Sequence, residues 1–183
     1  MSLGSVKTDV RVYLELLLTT ALVAVFVRTY VVSTYRVPND AMAPLLLPGD
    51  FIVAFKPSYG WEIPFTNGYR MGRRPPVRGD VVLLRSPQED GGDLVKRVAG
   101  LPGDRIAILG HRLFVNDRTA FFQPTVQPDA LGPIVVPPNG IFVLNDGLVS
   151  QTDLEGRIVL IWMSFEWRSR LPEIRWSRIG RVQ

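Results

Sequence analysis

Val37-Pro38-Asn39-Asp40-Ala41-Met42-Ala43-Pro44-Leu45-Leu46-Leu47-Pro48-Gly49-Asp50 divides the chain into two unlike parts, an apolar N-terminal segment and a remainder of short strand-like runs. Each proline in it fixes φ at about −65° and removes an N–H donor, so the stretch is neither helix nor central strand. It reads as a stiff extended connector that turns at Pro48-Gly49-Asp50 and enters a strand, Phe51-Ile52-Val53-Ala54-Phe55. On these residues alone a plain proline-stiffened linker fits equally well. Further on, Asp93-Leu94-Val95-Lys96-Arg97-Val98-Ala99-Gly100-Leu101-Pro102-Gly103-Asp104 embeds a basic pair in an apolar strand and closes with a turn.

On the N-terminal side of the connector, Val10 to Val32 is apolar apart from Arg11, Glu15 and Arg28, and Leu16 to Val27 carries no charge. The uncharged run is shorter than the roughly 20 residues that span hydrocarbon. The flanks extend it to sufficient length, with Arg11 and Arg28 able to snorkel and Glu15 one turn from Arg11. A cleaved signal peptide and a buried soluble helix are the competing readings; no Ala-x-Ala-like site follows the run. Basic residues flank both ends, so charge does not orient a span.

On the C-terminal side, Tyr35 and Val37 alternate with Arg36 as in an edge strand. Lys56 to Pro76 is a long Gly- and Pro-rich loop, open to a solvated reading or to a membrane-facing flap with Trp61 and Phe65 at the interface. Strands are expected at Asp80–Arg85, Leu94–Ala99, Arg105–Leu109, Arg112–Val115 and Ile141–Leu144. A tight hairpin is expected at Asn116-Asp117, and a long buried strand over Gly156–Phe165. Residues 119–140 show little periodicity. The tail, Trp167 to Val182, mixes arginines with Trp167 and Trp176, which suits an amphipathic edge or an interfacial surface.

The composition narrows the function classes. The chain has 183 residues, enough for one anchor and one domain, with a net charge of +4 and a mean hydropathy of +0.14. Basic residues form no dense run or helix face, so a membrane surface is a better partner than nucleic acid. Cysteine is absent and His111 is the single histidine. That removes disulfides, thiolate chemistry, histidine triads and multi-histidine metal sites, and neither metal nor cofactor is expected. His111 reads as an exposed turn residue.

The connector resembles the nucleophile box of type I signal peptidases, Pro-x-x-Ser-Met-x-Pro-x-Leu-x-x-Gly-Asp. Lys96 to Asp104 is similar to their general-base box, Lys-Arg-x-x-Gly-x-Pro-Gly-Asp. Arg78-Gly79-Asp80-Val81-Val82 matches a third box, and Ile161 to Phe165 with Ser177 to Gly180 looks like the ending of Gram-negative members. The resemblance implies a mainly β, antiparallel catalytic domain over residues 35–183, with 119–140 as a reduced insertion. Residues 1–34 would carry one transmembrane helix. The N-terminus would be cytoplasmic and the domain periplasmic, a single-pass protein of the bacterial inner membrane. The partners would be membrane lipid and secretory precursors, cut after Ala-x-Ala.

Two departures bear on chemistry. The nucleophile position holds Ala41, so no acyl-enzyme can form there, and the family's serine endopeptidase activity is expected to be lost. The intact flanks, Asp40 and Met42-Ala43-Pro44, fit an engineered Ser→Ala change better than a drifted pseudo-enzyme. Lys96 takes the general-base position. A lysine does this work once burial lowers its pKa from about 10.4 toward 7–8, roughly 4 kcal/mol of differential stabilisation. The oxyanion would meet the N–H of residue 41 and the side-chain amide of Asn39, which is also an ordinary turn residue. Tyr35, Val37, Met42, Leu46, Leu83, Leu94 and Val95 take the positions of the pocket walls that admit small side chains, though each is open to a core reading.

The second departure lies in the last box, Gly-Asp-x-Arg-x-x-Ser-x-Asp-Ser-Arg, which begins at Val143-Leu144-Asn145-Asp146. It lacks about ten residues before Gly147. Asp146 is offered to Arg97 as an ion-pair partner, while Ser150 aligns too poorly with the family's lysine-binding serine to be adopted. Two other classes compete: a non-catalytic, membrane-anchored signal-peptide-binding homologue, and a Ser/Lys self-cleaving repressor. The apolar residues 10–32, where a repressor needs a DNA-binding helix-turn-helix, argue against the last.

Overall fold

Leu3–Tyr30 forms α1, and every residue from Val10 to Thr29 is exposed. The 21 residues Val10–Tyr30 have a mean hydropathy of 2.0, with none buried. An apolar helix without cover from the rest of the chain is compatible with a membrane span and is not part of this fold's core. At about 1.5 Å per residue it is long enough to cross hydrocarbon. Arg11 and Glu15 pair at 2.8 Å one turn apart, as expected. The Thr19 and Thr20 hydroxyls donate back to the Glu15 and Leu16 carbonyls, which satisfies them within the helix.

This computed structural model describes residues 3–63, 66, 70–72, 74–85, 93–109, 112–120, 131–166 and 172–182. The expected places of Phe65, His111 and Trp167 fall outside them. The strands in order are β1 (Val32–Arg36), β2 (Asp50–Phe55), β3 (Trp61–Glu62), β4 (Arg70–Met71), β5 (Val81–Leu84), β6 (Leu94–Gly100), β7 (Arg105–Leu109) and β8 (Arg112–Val115). They continue as β9 (Arg118–Thr119), β10 (Leu131–Val135), β11 (Gly140–Val143), β12 (Gly147–Ser150), β13 (Leu154–Glu166), β14 (Glu173–Ile174) and β15 (Gly180–Arg181).

Among the described residues the main sheet runs β1-β2-β13-β5-β6-β11-β12, with β14 and β15 also on β13; a smaller sheet runs β10-β7-β8-β9, and β3 pairs with β4. Every pairing is antiparallel, so the expected fold class holds. The β7–β8 hairpin shows why its bounds were legible. Ile106 faces Val115 and Ile108 faces Leu113, all four buried, while Arg105, Leu109 and Arg112 point outward. Asn116 and Asp117 both take positive φ, 53° and 63°, as a two-residue hairpin turn requires.

Three expectations need correction. Residues 119–140 contain a strand after all, β10. Pro133 has no N–H, and the register slips between Leu131 and Ile134, which suits the edge position that β10 occupies. The strand expected at Gly156–Phe165 is longer and less buried, with Arg157 and Trp162 exposed and register shifts at Ile158/Leu160 and Ile161/Met163. The loop from Lys56 to Pro76 carries the β3–β4 hairpin.

The connector folds back onto the sheet around Asp50, which has no solvent exposure. Its carboxylate accepts from the Leu47 N–H at 2.8 Å, Ser164 Oγ at 2.6 Å, Arg175 Nη2 at 3.2 Å and Arg178 Nη2 at 2.7 Å. The same guanidinium groups donate to the Pro48 and Leu45 carbonyls, both at 2.8 Å. The arginine-rich tail therefore latches the connector from inside, where the sequence suggested an amphipathic edge or an interfacial surface. Gly49 has φ +89°, and a Cβ there would overlap the Phe165 carbonyl oxygen, so the turn needs glycine.

Burial alone would raise the Asp50 carboxyl. Hydrogen bonds from Arg178, the Leu47 N–H and Ser164, with the Arg178 charge, outweigh it and hold the group below its ordinary value. Asp104 is also held low: its burial is overcome by the Leu101 N–H, Arg78 and Asn116. A carboxyl depressed in the folded state contributes stability above its unfolded pKa and loses that contribution as pH falls through the folded value. Urea unfolding of the detergent-solubilised chain should therefore show stability falling below about pH 4. Asp50→Asn should cost roughly 3 kcal/mol at pH 7, because two guanidinium groups lose their counter-ion, and should blunt the acid loss.

Candidate active site

Antiparallel pairing of β5 with β6 sets Lys96 opposite Val82 and Arg97 opposite Val81, which puts the two basic side chains on opposite faces of the strand. The Lys96 side chain is 12% exposed, and its Nζ lies 2.6 Å from Asp146 Oδ2. A mostly buried amine needs such a partner. Asp146 belongs to the turn between β11 and β12, where Val143 pairs directly with Gly147. Leu144, Asn145 and Asp146 alone make this turn, with Asn145 at φ 71° and Gly147 at φ 86°. The expected Arg97–Asp146 pair is thus corrected: the ion pair of Asp146 is with Lys96, because a carboxylate on that face of β6 meets position 96. Burial lowers the pKa of the Arg97 guanidinium.

The same turn reaches residue 41. Asn145 Nδ2 donates to the Ala41 carbonyl at 3.5 Å, a long contact, and Asn145 Oδ1 is buried without a partner among the described residues. Ala41, Asn145, Asp146 and Lys96 therefore lie along one chain of contacts. The Ala41 N–H donates to Asn39 Oδ1 at 3.3 Å. The Asn39 side chain thus accepts in a local Asx turn through Oδ1, on the N–H that was expected to bind an oxyanion, while its NH2 group is the part offered as an oxyanion donor. Ser150, left aside in the sequence, accepts from the Thr152 N–H at 3.3 Å and caps the short 3-10 turn Gln151–Asp153.

The expected pocket walls divide into two groups. Val37, Leu46 and Leu83 are 4%, 0% and 1% exposed and form core. Tyr35, Met42 and Val95 are half-buried and pack on that core, and Leu94 is exposed. Tyr35 and Val95 sit on strands that β2, β13 and β5 separate within the sheet. Nevertheless both pack on the same core, and the Tyr35 phenol is pushed up by burial and then by the Asp93 charge. Tyr35 on the β1 edge is therefore brought toward the start of β6. Among the described residues, no strand pairs with Leu94–Lys96 on the side away from β5, because β11 meets β6 only at Val98 and Gly100.

The family model described as "Signal peptidase, peptidase S26" matches residues 10–163 of this chain. The chain belongs to the signal peptidase family. A signal peptidase I from Buchnera aphidicola subsp. Baizongia pistaciae is 43% identical over 107 residues, 57% of this chain and 34% of that protein. A signal peptidase I from Pseudomonas fluorescens is 36% identical over 112 residues, 60% of this chain and 39% of that protein. The chain thus spans little more than a third of the length of these curated relatives. A solved signal peptidase I from Enterococcus faecalis is similar over 46% of this chain and 97% of its own, at a TM-score of 0.37 and 22% identity.

Sequence reasoning missed Asp146 as the lysine's partner and Asn145 as the contact to residue 41. Strand parity at positions 96 and 97 was the available signal for the first. Asp146→Ala should strand the Lys96 amine and lower stability by about 1–3 kcal/mol. In the Lys96→Met/Asp146→Ala double variant most of that loss should return, as measured by urea unfolding. Two neutral single variants would mean the pair is solvated.

Proposed function

We propose that the chain is a membrane-anchored signal peptidase I-like protein that holds the end of a secretory signal peptide against residue 41, and that Ala41 prevents it from cutting. The observation that carries this reading is the mostly buried Lys96 amine, fixed 2.6 Å from Asp146 in the turn that also contacts Ala41. In this reading α1 is the anchor, with its N-terminus in the cytoplasm and the β-rich part on the periplasmic side of the inner membrane.

An extended peptide adds beside β1 and against the unpaired edge of Leu94–Lys96, a strand-addition mode in which backbone bonds give affinity and side-chain pockets give choice. Tyr35, Met42, Leu94 and Val95 supply pocket surface over a floor of Val37, Leu46 and Leu83. Small residues fit because the floor is already packed, so selection works by excluding bulk.

With a hydroxyl at position 41, Ser/Lys chemistry would run as follows. The amine takes the hydroxyl proton, the oxygen attacks the scissile carbonyl, and the N–H of residue 41 turns from Asn39 to the oxyanion. A salt-bridged ammonium has no lone pair to offer, so that cycle starts from the unprotonated amine. A second reading, a native non-catalytic peptide binder, is favoured by the methyl group at position 41 together with Asp146 holding the lysine.

Cleavage of an Ala-x-Ala precursor separates the two. Ala41→Ser should raise it by at least about a hundredfold over the parent chain, and adding Lys96→Met should abolish the gain. If Ala41→Ser binds the precursor but leaves it whole, the binder reading stands. If neither form binds it better than a scrambled peptide, both fail.

A further inference from the structure

β2 takes one side of β1, and among the described residues no strand takes the other. The Val37 N–H donates to the Asp50 carbonyl at 2.9 Å, which carries the β1–β2 ladder one residue into the connector. Side chains along this edge alternate. Tyr35 and Val37 turn to the core, while Thr34 and Arg36 turn outward and are exposed. A peptide strand laid beside β1 shares its pleat, so its residues divide between the same two faces. With the last small residue of Ala-x-Ala next to residue 41, chain order sets the two alanines level with Val37 and Tyr35. The residue x between them is then level with Arg36, on the face away from the packed pocket floor.

That face offers both room and charge. Arg36 lines a groove of about 540 Å³ with Pro38, Pro48, Glu166 and Arg175, so a long side chain is admitted there. Most of the charges around the groove are already matched. Asp50 takes Arg175 at 3.2 Å and Arg178 at 2.7 Å, and Glu166 is not free. Arg36 is the remainder. Among the described residues it pairs with no carboxylate, and its guanidinium carbon lies 6.0 Å from the ring centroid of Phe51, its cross-strand partner. An aromatic face steadies a guanidinium group without cancelling its charge. The fork stays available to a carboxylate on the neighbouring strand, where paired Cβ atoms are about 5 Å apart.

We propose that Arg36 is a specificity-determining residue that favours glutamate at the central position of the Ala-x-Ala signal, so that the preferred peptide ends in Ala-Glu-Ala. Glutamate carries one more methylene than aspartate and so reaches further toward a guanidinium that leans over Phe51. The register rests on the peptide-binding reading above; the open charge of Arg36 does not.

The test is fluorescence-polarisation binding of labelled peptides to the full chain in nonionic detergent, where Ala41 keeps them intact. Three peptides differ only at x, as Ala-Glu-Ala, Ala-Gln-Ala and Ala-Lys-Ala, and a scrambled peptide is the blank. At low ionic strength Ala-Glu-Ala should bind about threefold tighter than Ala-Gln-Ala, and Ala-Lys-Ala about threefold weaker, with the spread shrinking as salt is added. Arg36→Gln should bind all three alike, at the parent's affinity for Ala-Gln-Ala. Arg36→Glu should reverse the order. Arg112→Gln, an equal loss of charge on the smaller sheet, should keep the parent's order, which separates Arg36 from the chain's net charge. Equal affinities in the parent, the parent's order surviving in Arg36→Gln, or an Arg36 variant that binds none of the three would overturn the proposal. If the parent binds Ala-Gln-Ala no better than the scrambled peptide, the peptide-binding reading itself fails, so the two failures are distinguishable.

Discussion

A carboxylate with no access to water has to be neutralised by the protein itself, and Asp50 is answered by an N–H of its own turn, a serine of β13 and two arginines of the C-terminal tail. Three distant parts of the chain are thereby held at one point. The proline-rich connector cannot drift from the sheet while Arg178 bonds both the Asp50 carboxylate and the Leu45 carbonyl. Leu46 is then driven to full burial beside Ile52 and Ile161. Residue 41 inherits its position from this arrangement, since it lies a few residues upstream on the same stiff segment.

The site repeats that logic with the charges reversed. Lys96 is placed on β6 by pairing with β5, and its amine is answered by Asp146 from a three-residue turn. In the family's pattern a longer segment occupies this place and offers a serine to the lysine. A carboxylate here holds the amine by charge as well as by hydrogen bonding, which is stronger positioning and a poorer start for proton transfer. In the proposed reading Ala41 and Asp146 point the same way, toward holding a peptide rather than cutting it. The Asn39 side chain on the Ala41 N–H adds to this, because a bound carbonyl has to displace it before that N–H is free.

Much of the fold was legible because its signals are local. Alternation set the bounds of β7 and β8, Asn116-Asp117 marked their neighbouring turn, and Pro48-Gly49-Asp50 marked the turn into β2, whereas the connector expected to be extended is instead a run of turns over residues 41–45, closed by Leu46 N–H on the Met42 carbonyl. The family boxes singled out Ala41 and Lys96, which the structure brings near one another through the Asn145-Asp146 turn. What stayed hidden was non-local or ambiguous in chemistry. Arg178 reaches Asp50 across 128 residues, and nothing near either residue announces the other. Short strands such as β10, which contains Pro133, and β12 borrow their order from neighbours. Asn39 carries both a donor and an acceptor, so its composition could not decide which it would use. Asp146 was assigned one position off along β6, and that single step changes the face of the strand.

The account's central claim is that residue 41 and the Lys96 amine share one peptide-binding cleft. The chain contains no cysteine, so an Ala41→Cys variant carries a unique thiol at the decisive position. Its alkylation by an Ala-x-Ala peptide chloromethyl ketone, followed by mass spectrometry, tests the claim most directly. The account predicts stoichiometric labelling, far faster than with a scrambled peptide and slowed when Lys96→Met is added. Labelling at the same rate by both peptides, and indifferent to Lys96, would contradict it.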